Sequence, residues 1–254
     1  MFRVALVRMV VKADQAEAFE AEARKQLAIV SEKEPGTILY GFLRRAGPAS
    51  TILGAVSQNF VEYIHPQGYA SEDAQKHHLA LEFNPDAEWT WGKTFPGFMN
   101  GPNLREIANS EDVVAGISRN HNWTPANMYR FAFHRFKIKA GQTEAFEEQA
   151  KKQVQVVSEQ EPGTILYTFC RRSPEGSTMI PKSATGNPEY MHLMAYTDEA
   201  ALQHHRELEN RTDGWAWGPV FREFLEAPLE NESLITDQLI TAVTRDAVWS
   251  PTTP

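Results

Sequence analysis

The chain has 254 residues, a net charge of −8 and 42% hydrophobic residues, enough for two ordinary cores. Its basic residues come in small groups such as Arg44-Arg45, which excludes the basic footprint of a nucleic-acid binder. No apolar run approaches a membrane span and the start MFRVALVRMVVKADQ lacks a signal-peptide layout. With a single cysteine, Cys170, an intrachain disulfide framework is excluded and a cytoplasmic protein is expected.

Residues 4–11 are rich in β-branched side chains and read as a strand. From residue 15 to 33 the pattern turns helical, with Phe19, Ala23, Leu27 and Val30 in one stripe, and Glu34-Pro35-Gly36 stops the helix. A strand over 37–45 follows, with Ile38, Tyr40 and Phe42 on one face and Leu39 and Leu43 on the other. A further strand near 61–65 leads into a helix carrying His77-His78. Then come Trp89-Thr90-Trp91-Gly92, a last strand over 112–118, and NHNWTPAN as a linker near 122–127.

The sequence then repeats itself. Residues 130–172 match residues 3–45 at an offset of 127, identical at 26 of 43 positions by direct count. The strand 131–138, helix 142–160 (Phe146, Ala150, Val154, Val157), strand 164–172, strand 189–196, His204-His205, Trp215-Ala216-Trp217-Gly218 and strand 238–244 echo the first half in order. A period this long means duplicated domains rather than a solenoid. The expected units are 1–122 and 128–250, each an α+β domain of βαββαβ, ferredoxin-like order. The strand 37–45 is apolar on both faces and needs two covering layers, so the two sheets are expected to pack on each other as an intrachain pseudo-dimer. Further homo-oligomerisation stays open.

Three segments in each half carry a family resemblance: AEAFEAEARK, EPGTILYGFLRR and GYASEDAQKHHLAL in the first, RFKIKAGQTEAFEEQAKK, EPGTILYTFCRR and AYTDEAALQHHREL in the second. Each half resembles the antibiotic biosynthesis monooxygenase (ABM) domain family of the dimeric α+β barrel superfamily. The resemblance implies a tandem dimeric barrel and cofactor-independent monooxygenase chemistry on an aromatic or polyketide-like hydroxylated molecule with molecular oxygen. It also implies a recurrent helix histidine, which falls on His78 and His205.

On helical phase, His78 and His205 point from the apolar stripe toward the sheet, while His77 and His204 lie about 100° aside and are expected to be exposed. A pocket-facing imidazole would take a phenolic proton or ligate a heme iron; the bland alternative is a packed, hydrogen-bonded histidine. His134 shares a strand face with Phe136 and Ile138, where the first half has Val7, so if only one pocket works the second is the expected one. The expected catalytic residues are therefore His205, His78 and His134. The expected substrate walls are Trp89, Trp91, Trp215, Trp217, Tyr40, Tyr167, His65 and His192, with core packing as the alternative for each.

Arg8 with Arg135, and Arg44 with Arg171, are expected to form salt bridges across the pseudo-dimer. Adjacent histidines diverge on a helix, so no metal site is expected, and there is no G-x-G-x-x-G or P-loop. Three functions compete: an oxygenase without cofactor, a heme-binding or heme-degrading protein, and a non-catalytic small-molecule-binding or stress-associated protein.

Overall fold

A computed structural model of the chain describes residues 3–44, 59–87, 90–98, 105–123, 130–172, 187–211, 217–226, 233–236, 238–244 and 246–249. The first half runs β1 (Arg3–Lys12), α1 (Ala16–Lys33), β2 (Thr37–Arg44), β3 (Phe60–Tyr69), α2 (Glu72–Glu82), α3 (Trp91–Thr94), β4 (Arg105–Ser118) and β5 (His121–Trp123). The second runs β6 (Phe131–Lys137), α4 (Thr143–Gln160), β7 (Thr164–Arg172), β8 (Glu189–Tyr196), α5 (Glu199–Glu209), α6 (Trp217–Phe224), β9 (Ser233–Thr236), β10 (Gln238–Thr244) and β11 (Ala247–Trp249). The expected βαββαβ order holds in both halves. β10 has the expected bounds, β4 starts earlier than its alternation suggests, at Arg105, and His121–Trp123, inside the stretch read as linker, pairs with β10.

The strands form one antiparallel path, β5-β10-β2-β3-β1-β4-β7-β8-β6-β9, with β11 on β4. The long β4 pairs with β1 through residues 105–109 and continues along β7 through 110–118. The segment β9–β10 does the reciprocal thing, pairing first with β6 and then with β2. Each half's last strand therefore begins in its own sheet and ends in the other, which closes the path into a barrel. Between strand ends of the two halves, Asn120 and Asp246 face each other, the Asn120 side-chain amide donating to Asp246 at 2.7 Å and the Asp246 backbone N–H donating back at 3.1 Å.

One apolar cluster joins the halves: Val4, Leu6, Leu39, Leu43 and Ile64 pack with Phe131, Phe133, Leu166, Met191 and Leu193. This is the sheet-on-sheet layer, and Cys170 is buried in it. Each sheet's other face carries its helices, with Phe19, Tyr40, Phe42 and Tyr63 in the first half and Phe146, Tyr167, Phe169 and Tyr190 in the second. Ile38 departs from its expected face: the β2–β3 register shifts between Thr37 and Leu39, and Ile38 joins the inter-sheet layer.

Among the described residues the repeated arginines have ion-pair partners in their own halves. Arg8 lies 2.6 Å from Glu62, Arg135 2.9 Å from Glu189 and Arg44 3.7 Å from Glu20, while Arg171 bonds Glu147, all within one half. The reason is local: Arg8 sits opposite Ile64 and Arg135 opposite Met191, so the glutamate two residues along the neighbouring strand is the diagonal partner. Across the halves, Arg119 at the end of β4 donates to the carbonyls of Thr164 and Ser158 and so closes the end of α4.

Glycine in the repeated Glu-Pro-Gly turn has a packing reason. A Cβ on Gly36 would lie 2.6 Å from Ala74 Cβ, and one on Gly163 would lie 2.5 Å from Ala201 Cβ. The turn touches the first residues of α2 and α5, whose N-termini are capped by Ser71 and Asp198 through the N–H groups of Ala74 and Ala201. Gly163→Ala is expected to push α5 outward and cost about 1–3 kcal/mol, read as a lower urea midpoint with an unchanged m-value. An unshifted midpoint would show that the contact yields freely. No helix among the described residues is long and apolar enough to cross a membrane.

Candidate active site

Capping and the tight Gly-Ala contact fix the rotation of α2 and α5, and this brings His78 and His205 under the sheet. Both are buried, whereas His77 and His204 are exposed and lie near the last carbonyls of α1 and α4, at 3.4 Å from Lys33 and 3.2 Å from Gln160. The helical-phase expectation for all four thus matches the geometry.

The surroundings of the buried pair were not anticipated. His78 Nδ1 donates to Glu34 Oε2 at 2.7 Å, and its Nε2 lies 3.0 Å from Glu82 Oε1. His205 repeats this, Nδ1 donating to Glu161 Oε2 at 2.8 Å with Nε2 3.1 Å from Glu209 Oε1. The Nε2 contacts have ion-pair distance but are bent off a hydrogen-bond line, so the Nδ1 side is the firm anchor. Thr37 and Thr164 hydroxyls donate to the same Oε2 atoms at 2.8 Å and 2.7 Å and hold the anchors in place. Glu34 and Glu161 are the glutamates of the Glu-Pro-Gly turns; the same tripeptide stops the helix and supplies the carboxylate.

Burial alone would lower the pKa of these rings. The hydrogen bonds and charges of the two flanking glutamates outweigh it and push both His78 and His205 from 6.5 up to about 9. Tyrosine rings flank each imidazolium, Tyr40 and Tyr69 at 5.3 Å and 5.2 Å from His78, Tyr167 and Tyr196 at 5.4 Å and 5.2 Å from His205. A ring with its pKa raised in this way favours its protonated form near pH 7, which disfavours it as the acceptor of a phenolic proton or as a ligand of heme iron. The sequence did hold a signal for the arrangement: glutamate follows each histidine at i+4, and Glu34 recurs as Glu161.

His65 and His192 lie on the helix-facing side of their sheets, not in the inter-sheet layer. His65 is fully engaged, Nδ1 donating to the Gly41 carbonyl at 2.6 Å and Nε2 accepting from Gln67 at 2.7 Å, with Tyr69 donating to Gln67 at 3.0 Å. It stacks on Phe42 and meets Tyr40 edge-on at 4.5 Å. His192 keeps the matching bond, to the Thr168 carbonyl at 3.0 Å, and stacks on Phe169 at 4.0 Å. Met194 stands where Gln67 does, and His134 stands where Val7 does, directly across from His192 with ring centres 6.2 Å apart. Burial holds both rings neutral: His134 lies below 6.5, and His192 well below it.

The two halves differ further at the tyrosines and the outer glutamates. Tyr40 donates to Glu82 at 3.3 Å, and Glu82 is 1% exposed. Tyr167 is fully buried and its hydroxyl makes no hydrogen bond among the described residues, while Glu209 is 25% exposed. Gln26 and Gln153, buried within the α1 and α4 stripes, lie close enough to favour the ionised form of Tyr40 and Tyr167, yet burial keeps both phenols well above their usual pKa. The first site is thus closed to solvent, with the Tyr40 hydroxyl bonded to Glu82 and both ring nitrogens of His65 engaged. The second has a neutral imidazole, an unused phenol and a carboxylate that reaches solvent. Trp89 and Trp215 fall outside the described residues, and Trp91 and Trp217 start α3 and α6 with side chains outside them as well.

Comparison with known proteins agrees with this architecture. The sequence model of the antibiotic biosynthesis monooxygenase family matches residues 131–226. The fold is similar to a proposed monooxygenase from Lactobacillus acidophilus NCFM, with TM-score 0.67, 12% identity and coverage of 98% of this chain and 99% of that one. A proposed monooxygenase from Fusobacterium nucleatum superposes with TM-score 0.69 at 11% identity, covering 98% and 97% of the two chains. Comparison with the curated proteins gives no match. Residues 131–226 thus match the sequence model of the antibiotic biosynthesis monooxygenase family, and the first half repeats the fold of the second to complete a tandem dimeric α+β barrel.

Proposed function

We propose that the second half oxidises a hydroxylated aromatic small molecule with molecular oxygen and without a bound cofactor. The observation that carries this reading is a pair of histidines in one helix–sheet interface pushed in opposite directions, His134 down and His205 up. The family match of residues 131–226 supports the reaction class.

In this scheme His134 accepts the proton of the substrate hydroxyl. The nearby Glu209 charge favours the imidazolium that results. The Tyr167 hydroxyl donates to the substrate oxyanion, a role open to it because it donates no hydrogen bond among the described residues. The electron-rich anion then reduces oxygen. His205 does not bind the anion: between Glu161 and Glu209 it is the centre of a triad with net negative charge. The first half, with Val7, Gln67 and a sealed Glu82, serves as scaffold.

Oxygen-electrode assays with hydroquinones and anthrones test the reading. His134→Ala is expected to lower kcat by at least about 100-fold. Activity of the unaltered chain is expected to rise with pH through a value below 6.5, as His134 loses its proton. Turnover by His134→Ala at the unaltered rate would remove His134 from the chemistry.

A further inference from the structure

We propose that Glu209 is a catalytic proton-transfer residue, carrying the Nε2 proton of His205 to the reduced oxygen in the second half of the reaction. The inference rests on the oxygenase reading above and adds the step that reading leaves open.

The chemistry requires such a donor. On an anthrone-type substrate the anion's electron pair forms a carbon–oxygen bond to dioxygen, leaving a peroxide anion on carbon. That anion takes one proton. The adjacent carbon–hydrogen bond then gives up its proton, the oxygen–oxygen bond breaks, and hydroxide leaves as the carbonyl forms. Hydroxide takes a second proton and becomes water. Substrate CH₂ and dioxygen thus become a carbonyl and water, with two protons lost from the substrate and two gained by oxygen.

The geometry supplies the first of those gained protons. His205 is anchored on its Nδ1 side by Glu161, itself held by Thr164, while the Nε2 contact to Glu209 at 3.1 Å is bent and therefore loose. A proton leaves most readily on the loose side. Glu209 takes it, and rotation of the carboxyl group presents it outward, because this side chain is 25% exposed. Its first-half counterpart has no such outlet: Glu82 is 1% exposed and receives the Tyr40 hydroxyl. A peroxide anion is a stronger base than imidazole, so the transfer runs downhill, and His205 is recharged from solvent through the same carboxylate. The groups facing this pair are His134 of β6, Tyr167 of β7, Tyr196 of β8, Arg206 of α5 and Glu161 at the turn. None of the tyrosines competes as donor, since burial holds Tyr167 and Tyr196 well above the usual phenol range.

The test is stopped-flow turnover of anthrone by the whole chain, with oxygen uptake and quinone absorbance followed separately. In a single turnover Glu209→Gln is expected to slow oxygen uptake modestly, through loss of its charge beside His134, while quinone forms at least about 100-fold more slowly and a carbon-bound peroxide accumulates. Glu209→Asp, which retains a carboxylate, is expected to recover most of the quinone rate. Parallel loss of uptake and quinone formation, or no loss in either, overturns the assignment. If the unaltered chain consumes no anthrone or hydroquinone, the oxygenase reading itself fails, and this step with it, before any variant is compared.

Discussion

Raising the pH from 6 to 10 is expected to strip several kcal/mol from the stability of the folded chain. His78 and His205 have folded-state pKa values raised from 6.5 to about 9, so each binds its proton more tightly folded than unfolded. A raised histidine contributes its full stability below the unfolded value of 6.5, and loses it as pH climbs through about 9. At 1.36 kcal/mol per pKa unit the contribution is on the order of 3 kcal/mol for each ring, and both rings are buried, so solvent does not screen it away. Urea denaturation at pH 6, 8 and 10 measures this directly. A midpoint that stays level from pH 6 to 10 would mean that folding does not raise the pKa values of these rings. Imidazole resonances followed by NMR would separate their titration from that of lysine and tyrosine side chains.

Removing either ring should also be costly, and unequally so. His78→Ala leaves Glu34 and Glu82 facing each other, both at 1% exposure, with no cation between them. Stripping one partner from a buried ion pair typically costs about 3–5 kcal/mol. In His205→Ala the same repulsion has a release, because Glu209 is 25% exposed and can turn to water. The His78 variant is therefore expected to melt several degrees below the His205 variant in scanning calorimetry. Equal melting temperatures, or the reverse order, would show that the outer carboxylates are equally accessible. The contrast has a functional side: the more damaging substitution falls in the half assigned no chemistry.

Much of the fold can be read from the chain because it is written twice. A strand, a helix with one apolar stripe and a Glu-Pro-Gly stop are local features, and their recurrence removes most doubt about boundaries. The beginning of β4 was not legible, since Arg105–Asn109 carries polar residues without alternation and takes its strand form from pairing with β1. The bulge at Ile38 and the crossing of β4 onto β7 depend on register between distant segments, which periodicity does not encode. At the site, helix phase placed His78 and His205 indoors. The anchoring carboxylates beside them are not legible, because Glu34 and Glu161 read locally as helix stops and meet the histidines 44 residues on only through tertiary packing.

The exchanged final strands have a consequence for how the chain is made. The outer edge of β2, complete once residue 44 is synthesised, is covered only by residues 238–244, roughly 200 residues later. At about 5–20 residues per second, that edge stays open for about 10–40 s of translation. Throughout that time an apolar strand with unpaired backbone groups is available to any neighbouring chain, including a second nascent copy. The first half is synthesised first yet is completed last, by the far end of its own chain.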